Sequence, residues 1–464
     1  MKLNKLHSSF RDPSGFLFQT KNTLYRQINK IYQENFDHLI HSGLYQKLVD
    51  QNLLISHKEI PNHINIKNPK VYKVIQPTKI PFISYPYEWC FSQLKDAGLL
   101  TLKIQKLALQ HKMTLKDASN FNLQFLEGRP IFIDTLSFEM YSQGKPWVAY
   151  RQFCEHFLAP LALMAHGDIR LGRLLQVYPD GLPLDLVSKL LPLRARLKPS
   201  LFLHLSLHAA AQKHFSKVII KNTQRKMSLN SLFGLLDNLE ETLRKLSWKP
   251  RDSHWGEYYE KRESYSLESF HHKSEIVRKL VAKIKPTTIW DLGGNIGSFS
   301  RSSTTPETLT ICFDSDPVAI EKNYQIIKDR KETNILPLFL DLTNPTPGIG
   351  WSNKERDSLI ERGPTNTIFA LALIHHLAIT HNIPLDYLAT LFSKLCNFLI
   401  IEFIPKQDQK VVQLLSSRED IFVDYTEENF EKIFKALFLI REVIKIDDSF
   451  RKIYLMENKT RVYY

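Results

Sequence analysis

Residues 289–300 read IWDLGGNIGSFS. Thr288, Ile289 and Trp290 run into Asp291, a glycine-rich turn follows at once, and beyond Gly297 the pattern is that of a helix start. A buried strand that hands a glycine-rich loop to a helix N-terminus is how α/β folds hold nucleotide-like ligands. Glycine lacks Cβ, so backbone can pass close to a ligand and take positive φ. Asn295, in mid-loop, is the next most tolerant residue for that conformation. The spacing also separates ligand classes. No Lys-Ser/Thr follows the glycines, which excludes a P-loop for triphosphates, and the acid precedes the glycines, whereas a dinucleotide fingerprint opens with them. A carboxylate at Asp291 suits a ligand carrying an ammonium group better than a pyrophosphate. The plainer alternative is a structural turn.

The chain downstream favours the ligand site. ICFDSDP (Ile311 to Pro317) reads as a second buried strand ending in Asp314, 17 residues past Gly297, about where this topology sets an acid over a ribose 2′-OH. ILPLFLDL (Ile335 to Leu342) is a third strand and ends in Asp341. TIFALALIHHL (Thr367 to Leu377) is a fourth and NFLIIEFIP (Asn397 to Pro405) a fifth. Helical patterns, such as Val318 to Lys328 and Leu385 to Cys396, fall between them. Apolar strands alternating with helices imply a parallel sheet covered on both faces. IREVIKID and FRKIYLMEN read as a closing pair of strands.

From about Trp255 to the C-terminus the chain resembles the class I S-adenosylmethionine-dependent methyltransferases. DLGGNIG resembles their first motif, Asp314 their ribose acid, and Asp341-Leu342 their adenine-contacting position. The resemblance implies S-adenosyl-L-methionine as cofactor and a Rossmann-like seven-stranded methyltransferase domain in an α/β chain. Asp291 and the backbone of Gly293, Gly294, Asn295 and Gly297 would face the methionine moiety. More narrowly, ALALIHHL, IIEFIPKQD and FRKIYLM resemble bacterial proteins described as nodulation-type methyltransferases. Asn295 stands where the family more often has a glycine, a departure that bears on loop geometry and not on cofactor class.

At 464 residues the chain holds two or three domains. With 43% hydrophobic and 24% charged residues it reads as an ordinary soluble globular protein. MKLNKLHSSFRDPSG lacks the apolar run of a signal peptide. No stretch approaches the roughly 18 apolar residues of a membrane span, so a cytoplasmic protein is expected. Cys90, Cys154, Cys312 and Cys396 form no CxxC pair and read as buried free thiols. The expected organisation is a mixed α+β N-terminal domain over 1–146, a helical basic region over 147–250, and the methyltransferase domain over 251–464.

In the N-terminal part, GFLFQT and TLYRQI suit a hairpin, Ile31 to Leu54 an amphipathic helix, VYKVIQP and IPFISYP two strands, and Trp89 to His111 a long helix. Asp117 precedes Asn122 by five residues, and Asp134 ends a short apolar strand. Kinase-like phosphotransferases place a catalytic Asp, an Asn and a metal-binding Asp in this arrangement, so this part resembles the large lobe of an aminoglycoside-kinase-like fold. It departs from that pattern at Leu115, where a His belongs, and in lacking an upstream glycine-rich phosphate loop; Arg26 and Lys73 are the candidates for the strand cation. The bland alternative is a hairpin whose Asp and Asn satisfy turn backbone.

Between Asp185 and Asp237 there is no acid, while Lys189, Arg194, Arg196, Lys198, Lys213, Lys217, Lys221, Arg225 and Lys226 crowd the span. The 189–226 stretch is either a solvated basic face or a surface for an anionic partner, nucleic acid included. The net charge of +14 fits both. His204, His208 and His214 read as packing residues, since no helical Glu accompanies them as in zinc proteases, and no metal site is expected. Trp255, Tyr258, Tyr259 and Tyr265 follow a linker at Trp248 to Pro250, as an arm over the cofactor or as plain packing.

Methyl transfer from a sulfonium is an in-line displacement in which positioning does much of the work. The loop after the fourth strand faces the methyl group in this topology, and here it carries His375 and His376. It lacks the Asn/Asp-Pro-Pro-aromatic used for amino acceptors, and there is no Pro-Cys for cytosine C5 chemistry. A neutral imidazole suits a hydroxyl acceptor. His376 is favoured as base, because His375 continues the strand's alternation and turns toward packing; the alternative is that both are structural. Glu402 is a further candidate for acceptor contact. The leading expectation is O-methylation of a glycan or other small metabolite. An RNA- or protein-directed methyltransferase and a non-catalytic adaptor are the competitors.

Overall fold

The computed structural model describes residues 4–20, 23–60, 69–207, 226–249, 267–416 and 419–460. His208, His214, Lys213, Lys217, Lys221, Arg225, Trp255, Tyr258, Tyr259 and Tyr265 lie outside them. The chain forms two compact units, Met1–Lys249 with Gly348–Arg356, and Pro250–Pro347 with Asp357–Tyr464. The described part of the 147–250 helical region falls in the first unit.

In the first unit, β1 (Asn4–Lys5), β2 (Gly15–Thr20), β3 (Thr23–Asn29), β4 (His57–Glu59) and β5 (Val71–Pro77) make an antiparallel sheet in the order β1-β2-β3-β5-β4. The hairpin expected from GFLFQT and TLYRQI is β2–β3. The single helix expected from Ile31 to Leu54 is two, α1 (Gln33–His41) and α2 (Leu44–Asp50), because Gly43 takes a left-handed φ of 78° between them. IPFISYP forms no strand; Pro81 and Pro86 remove backbone donors, and Pro86 opens a short 3-10 turn instead. The long helix is α3 (Phe91–Gln110). It is followed by β6 (Met113–Leu115), β7 (Leu123–Leu126), β8 (Arg129–Phe132) and β9 (Phe138–Met140), paired β6 with β9 and β7 with β8. In α4 (Leu229–Lys245), Leu232, Leu236, Leu239 and Leu243 recur on one face and are all buried. That face lies on α3, where Gly98 makes room: a Cβ there would meet Leu243 at 2.8 Å.

The second unit is a seven-stranded sheet. In chain order it comprises α5 (Leu267–Ile284), β10 (Thr288–Leu292), α6 (Ser298–Ser303), β11 (Leu309–Asp314), α7 (Pro317–Arg330), β12 (Ile335–Phe339), β13 (Thr365–Ala370), α8 (Leu385–Leu395), β14 (Cys396–Phe403), α9 (Glu427–Leu437), β15 (Phe438–Lys445) and β16 (Lys452–Asn458). The order is β12-β11-β10-β13-β14-β16-β15; neighbours from β12 to β14 pair in parallel, and β16 runs antiparallel to β14 and β15. The parallel part is the sheet expected from the alternating strands and helices, the whole is the Rossmann-like seven-stranded arrangement that the resemblance implies, and the closing antiparallel pair lies where IREVIKID and FRKIYLMEN placed it. Ile289, Phe369 and Ile400 from the central strands meet Ile276, Val277 and Leu280 of α5 in the core. From β10 the chain steps outward to β11 and β12, then returns to β13 on the other side. Parallel sheets bind ligands at the carboxyl ends of strands beside such a reversal.

Candidate cofactor and acceptor site

The glycine loop leaves β10 at that reversal. Asp291 pairs in register with Cys312 of β11 and Phe369 of β13, and its buried carboxylate accepts the Ser300 hydroxyl of α6 at 2.5 Å. Burial pushes its carboxyl up to about 6, against the pull of the Ser300 hydroxyl. The N–H groups of Gly293 and Gly294 both donate to Phe313 O, at 2.9 and 3.0 Å, which pins the loop to the end of β11. The three glycines serve different ends. A Cβ on Gly294 would meet Cys312 Sγ at 2.5 Å and Asp291 Cγ at 2.8 Å, so this glycine lets the loop lie on its own strand. Gly297 caps α6 with φ 78°, and a Cβ there would meet Arg301 at 2.7 Å and Asn323 at 3.0 Å. Gly293 is exposed, has φ 74°, and a Cβ would meet nothing closer than Leu373 at 3.3 Å. Of the three, it is the one whose backbone is exposed.

Asp314 ends β11, half-buried, and accepts the N–H groups of Asn295 and Asp316, each at 2.8 Å. Burial holds its carboxyl at about 6, with those backbone donors pulling it down. Two carboxylate oxygens offer about four lone-pair directions, so acceptor capacity remains for ribose hydroxyls. Asn295 sits at φ 51°, and its own side-chain oxygen accepts the Ile296 N–H at 2.8 Å, which is how an asparagine holds the glycine-like turn. The third strand stops at Phe339, short of Leu342; Asp341 and Leu342 follow it half-buried, and Asp341 Oδ1 accepts the N–H (2.9 Å) and hydroxyl (2.6 Å) of Thr343. Asp291, the loop and Asp314 thus form one hydrogen-bonded group at the carboxyl ends of β10 and β11.

The fourth strand ends at Ala370, earlier than expected, and Ala372 turns the chain with φ 51°. His375 therefore does not continue the strand's alternation: it caps a π-helical turn over His376–Thr380. The ring centroids of the two histidines lie 4.0 Å apart. His375 is buried with Nδ1 unpartnered, and His376 is half-buried. Burial drives His375 well below its usual value and His376 down to about 4, and the His376 shift is reinforced by His381 and Arg451. Both imidazoles are neutral at pH 7.

Sequence patterns missed the polar group beneath this turn. Lys273 of α5, fully buried, donates to Glu402 of β14 at 2.6 Å and lies over the Phe299 ring at 4.5 Å. The same Glu402 oxygen accepts the Ala372 N–H at 2.8 Å, which fixes the strained turn. Arg451 reaches Glu402 at 3.7 Å and holds Asp408 at 2.7 and 3.0 Å. Glu402 is thus committed to structure beside the histidines. One signal was readable: Lys273 occupies the stripe Phe270, Lys273, Val277, Leu280, Ile284, and a lysine on a helix's apolar face implies a buried acid facing it.

The nodulation protein NoeA of Rhizobium meliloti (strain 1021) is 32% identical to this chain over 459 residues, 98% of the chain and 96% of that protein. The chain belongs to the NoeA family. No family model matches. Among solved structures, the N-methyltransferase NodS of Bradyrhizobium japonicum WM9 aligns at TM-score 0.31 with 10% identity, over 42% of this chain and 98% of its own. Magnesium protoporphyrin IX methyltransferase of Synechocystis PCC 6803 aligns at 0.29 with 15% identity, over 46% of this chain and 87% of its own.

In this NoeA-family chain the N-terminal constellation is also assembled, and its groups are engaged with one another. Asp134 Oδ1 meets Arg26 of β3 at 2.6 Å and accepts the Leu136 N–H at 3.0 Å, while Oδ2 accepts the Ser137 hydroxyl at 2.6 Å. Asn122 donates to Ser137 Oγ at 3.2 Å. Asp117 accepts from Ser119 N and Gln152 Nε2, both at 2.9 Å, and burial raises its carboxyl. Lys73 pairs with Glu59 instead, at 2.9 Å. Among the described residues no group of three His, Cys, Asp or Glu side chains is placed to hold a metal ion. His204 is buried between the Tyr150 hydroxyl and Asn238 Oδ1, each 2.7 Å away.

Proposed function

We propose that the second unit is an S-adenosylmethionine-dependent methyltransferase whose acceptor is a hydroxyl oxygen on a glycan or other small metabolite. The observation that carries this reading is the pairing of exposed, left-handed Gly293 with half-buried Asp314 at the carboxyl ends of adjacent strands β10 and β11. S-adenosylmethionine, when bound, supplies a methyl group activated by its sulfonium. Asp314 would accept the ribose hydroxyls, the Gly293 backbone would hold the methionine moiety, and Asp341 with Leu342 would contact the adenine, while Asp291 accepts the Ser300 hydroxyl behind the loop. The acceptor oxygen needs a lone pair held in line at about 3–3.5 Å. Neutral His376 receives the hydroxyl's hydrogen bond and then its proton, and His375 packs behind it. With His376 pushed to about 4, it is a weak base, so orientation of the oxygen is its larger contribution.

The test is incubation of the full chain with a methyl-labelled donor and fractionated bacterial extract. Label in the oligosaccharide or small-molecule fraction supports the proposal. Label in RNA or protein overturns the acceptor assignment, and donor binding without transfer to any fraction favours an adaptor.

A further inference from the structure

The acid-free stretch of the first unit has an unusual outer face. The helix Leu184–Leu190 packs on the π-helical turn Phe202–Leu207, with Ser188 and Ser206 hydroxyls 3.2 Å apart; that turn meets Pro199–Leu201, which in turn meets Leu193–Arg196. Their inner side is already filled by Leu184, Val187, Leu191, Ala195, Leu201 and Leu205, all buried. Yet Leu190, Leu193, Leu197, Phe202 and Leu203 face solvent, with Leu193 70% and Leu197 78% exposed. Single exposed leucines are ordinary, but five large apolar side chains within 14 residues form a patch that marks an interaction surface. Between them stand Lys189, Arg194 and Arg196; among the described residues, none of the three has a hydrogen bond or ion pair to a carboxylate. Lys198 meets the ring of His166 at 3.4 Å.

We infer that residues 184–207 form a docking surface for an anionic lipid membrane, entered from the interface and not spanned. Cations without a carboxylate partner among the described residues, interleaved with exposed Leu and Phe, match a surface that offers phosphate charge over an apolar layer. Nucleic acid would use the cations and leave the leucines in water, since phosphate contacts need only Lys and Arg. No helix among the described residues is long and apolar enough to cross a membrane, which agrees with attachment by a face. The inference does not depend on the methyltransferase reading.

The experiment is co-sedimentation of the full chain with vesicles of phosphatidylglycerol and phosphatidylcholine mixed, with pure phosphatidylcholine vesicles, and with an RNA oligonucleotide. Binding to the anionic vesicles is expected to exceed that to neutral ones and to fall with salt. Leu193→Asp with Leu197→Asp, both at exposed sites, is expected to lower it at least about ten-fold with an unchanged melting temperature. Arg194→Gln with Lys198→Gln is expected to weaken anionic binding alone and to flatten the salt dependence. Absence of vesicle binding, or vesicle binding indifferent to the leucine pair, overturns the inference. So does RNA binding that exceeds vesicle binding and survives the leucine pair, or self-association in light scattering that the leucine pair abolishes.

Discussion

At Asp314 one carboxylate serves both the loop and the proposed ribose contact. Its charge is disfavoured by burial, and the same is true of Asp291; both sit at about 6. Lowering pH through that value protonates groups that act as charged acceptors, so cofactor affinity is expected to be level above about 7 and to decline as pH falls below about 6. Titration calorimetry across that range checks this, and a flat profile down to pH 5 contradicts it. His376 behaves in the opposite sense. Because burial lowers it to about 4, it is uncharged over the neutral range, and the turnover limb expected near 6–7 for an ordinary histidine moves to about 4. His376→Ala is expected to reduce turnover by about 10²-fold, chiefly through lost orientation of the acceptor, while cofactor affinity survives; near-native turnover in both His375→Ala and His376→Ala would make the pair structural. Asp291, the glycines and Asp314 were legible because a strand, a turn and a second strand lie within a short span. Lys273 was readable only as a lysine on an apolar stripe; its partner was not, because Glu402 is 129 residues away and only the fold brings them together.

At the scale of elements, the loop between β10 and α6 separates two uses of glycine. At Gly297 a side chain collides with Arg301 at 2.7 Å and Asn323 at 3.0 Å, whereas at Gly293 it meets only the Leu373 side chain, at 3.3 Å. Each substitution bears a left-handed penalty of about 1–2 kcal/mol. Gly297→Ala is expected to lower the melting temperature more than Gly293→Ala, and Gly293→Ala to lose more cofactor affinity than its modest destabilisation explains. The reverse ordering would exchange the two roles. The tie between α5 and β14 has its own signature: Lys273→Met leaves Glu402 short of a partner in a fully buried setting, a loss on the order of 3–5 kcal/mol, read by chemical denaturation. Element types in this unit were plain from alternating apolar runs. Their ends were not, because β12 stops before Asp341 and β13 before the histidines where side-chain contacts, Asp341 with Thr343 and Glu402 with Ala372, redirect the backbone. In the first unit, α1 and α2 share one amphipathic pattern, and only the left-handed turn at Gly43 divides them.

Across the molecule, two compact units carry two separate polar centres. In the first, Arg26 is largely buried against Asp134 at 2.6 Å, with Asp12 farther off at 3.9 Å, so Asp134→Asn removes the nearer countercharge and is expected to cost on the order of 3 kcal/mol of that unit's stability. Magnesium-ATP is expected to leave its melting unchanged; a rise of several degrees that vanishes in Asp134→Asn would restore a phosphotransfer role. Composition and charge showed a basic globular chain of more than one domain, but they could not show that the acid-free stretch also bares leucines, since exposure follows from packing. The most direct measurement of the central claim is calorimetric titration of the full chain with S-adenosylhomocysteine, native and Asp314→Ala side by side. One site is predicted for the native chain, with affinity lowered at least about ten-fold in the variant, the loss of a charge-assisted hydrogen bond, in a protein that still melts cooperatively, its melting temperature lowered by the loss of the Asn295 and Asp316 hydrogen bonds. No binding to the native chain, or equal affinity in a folded Asp314→Ala protein, contradicts the account.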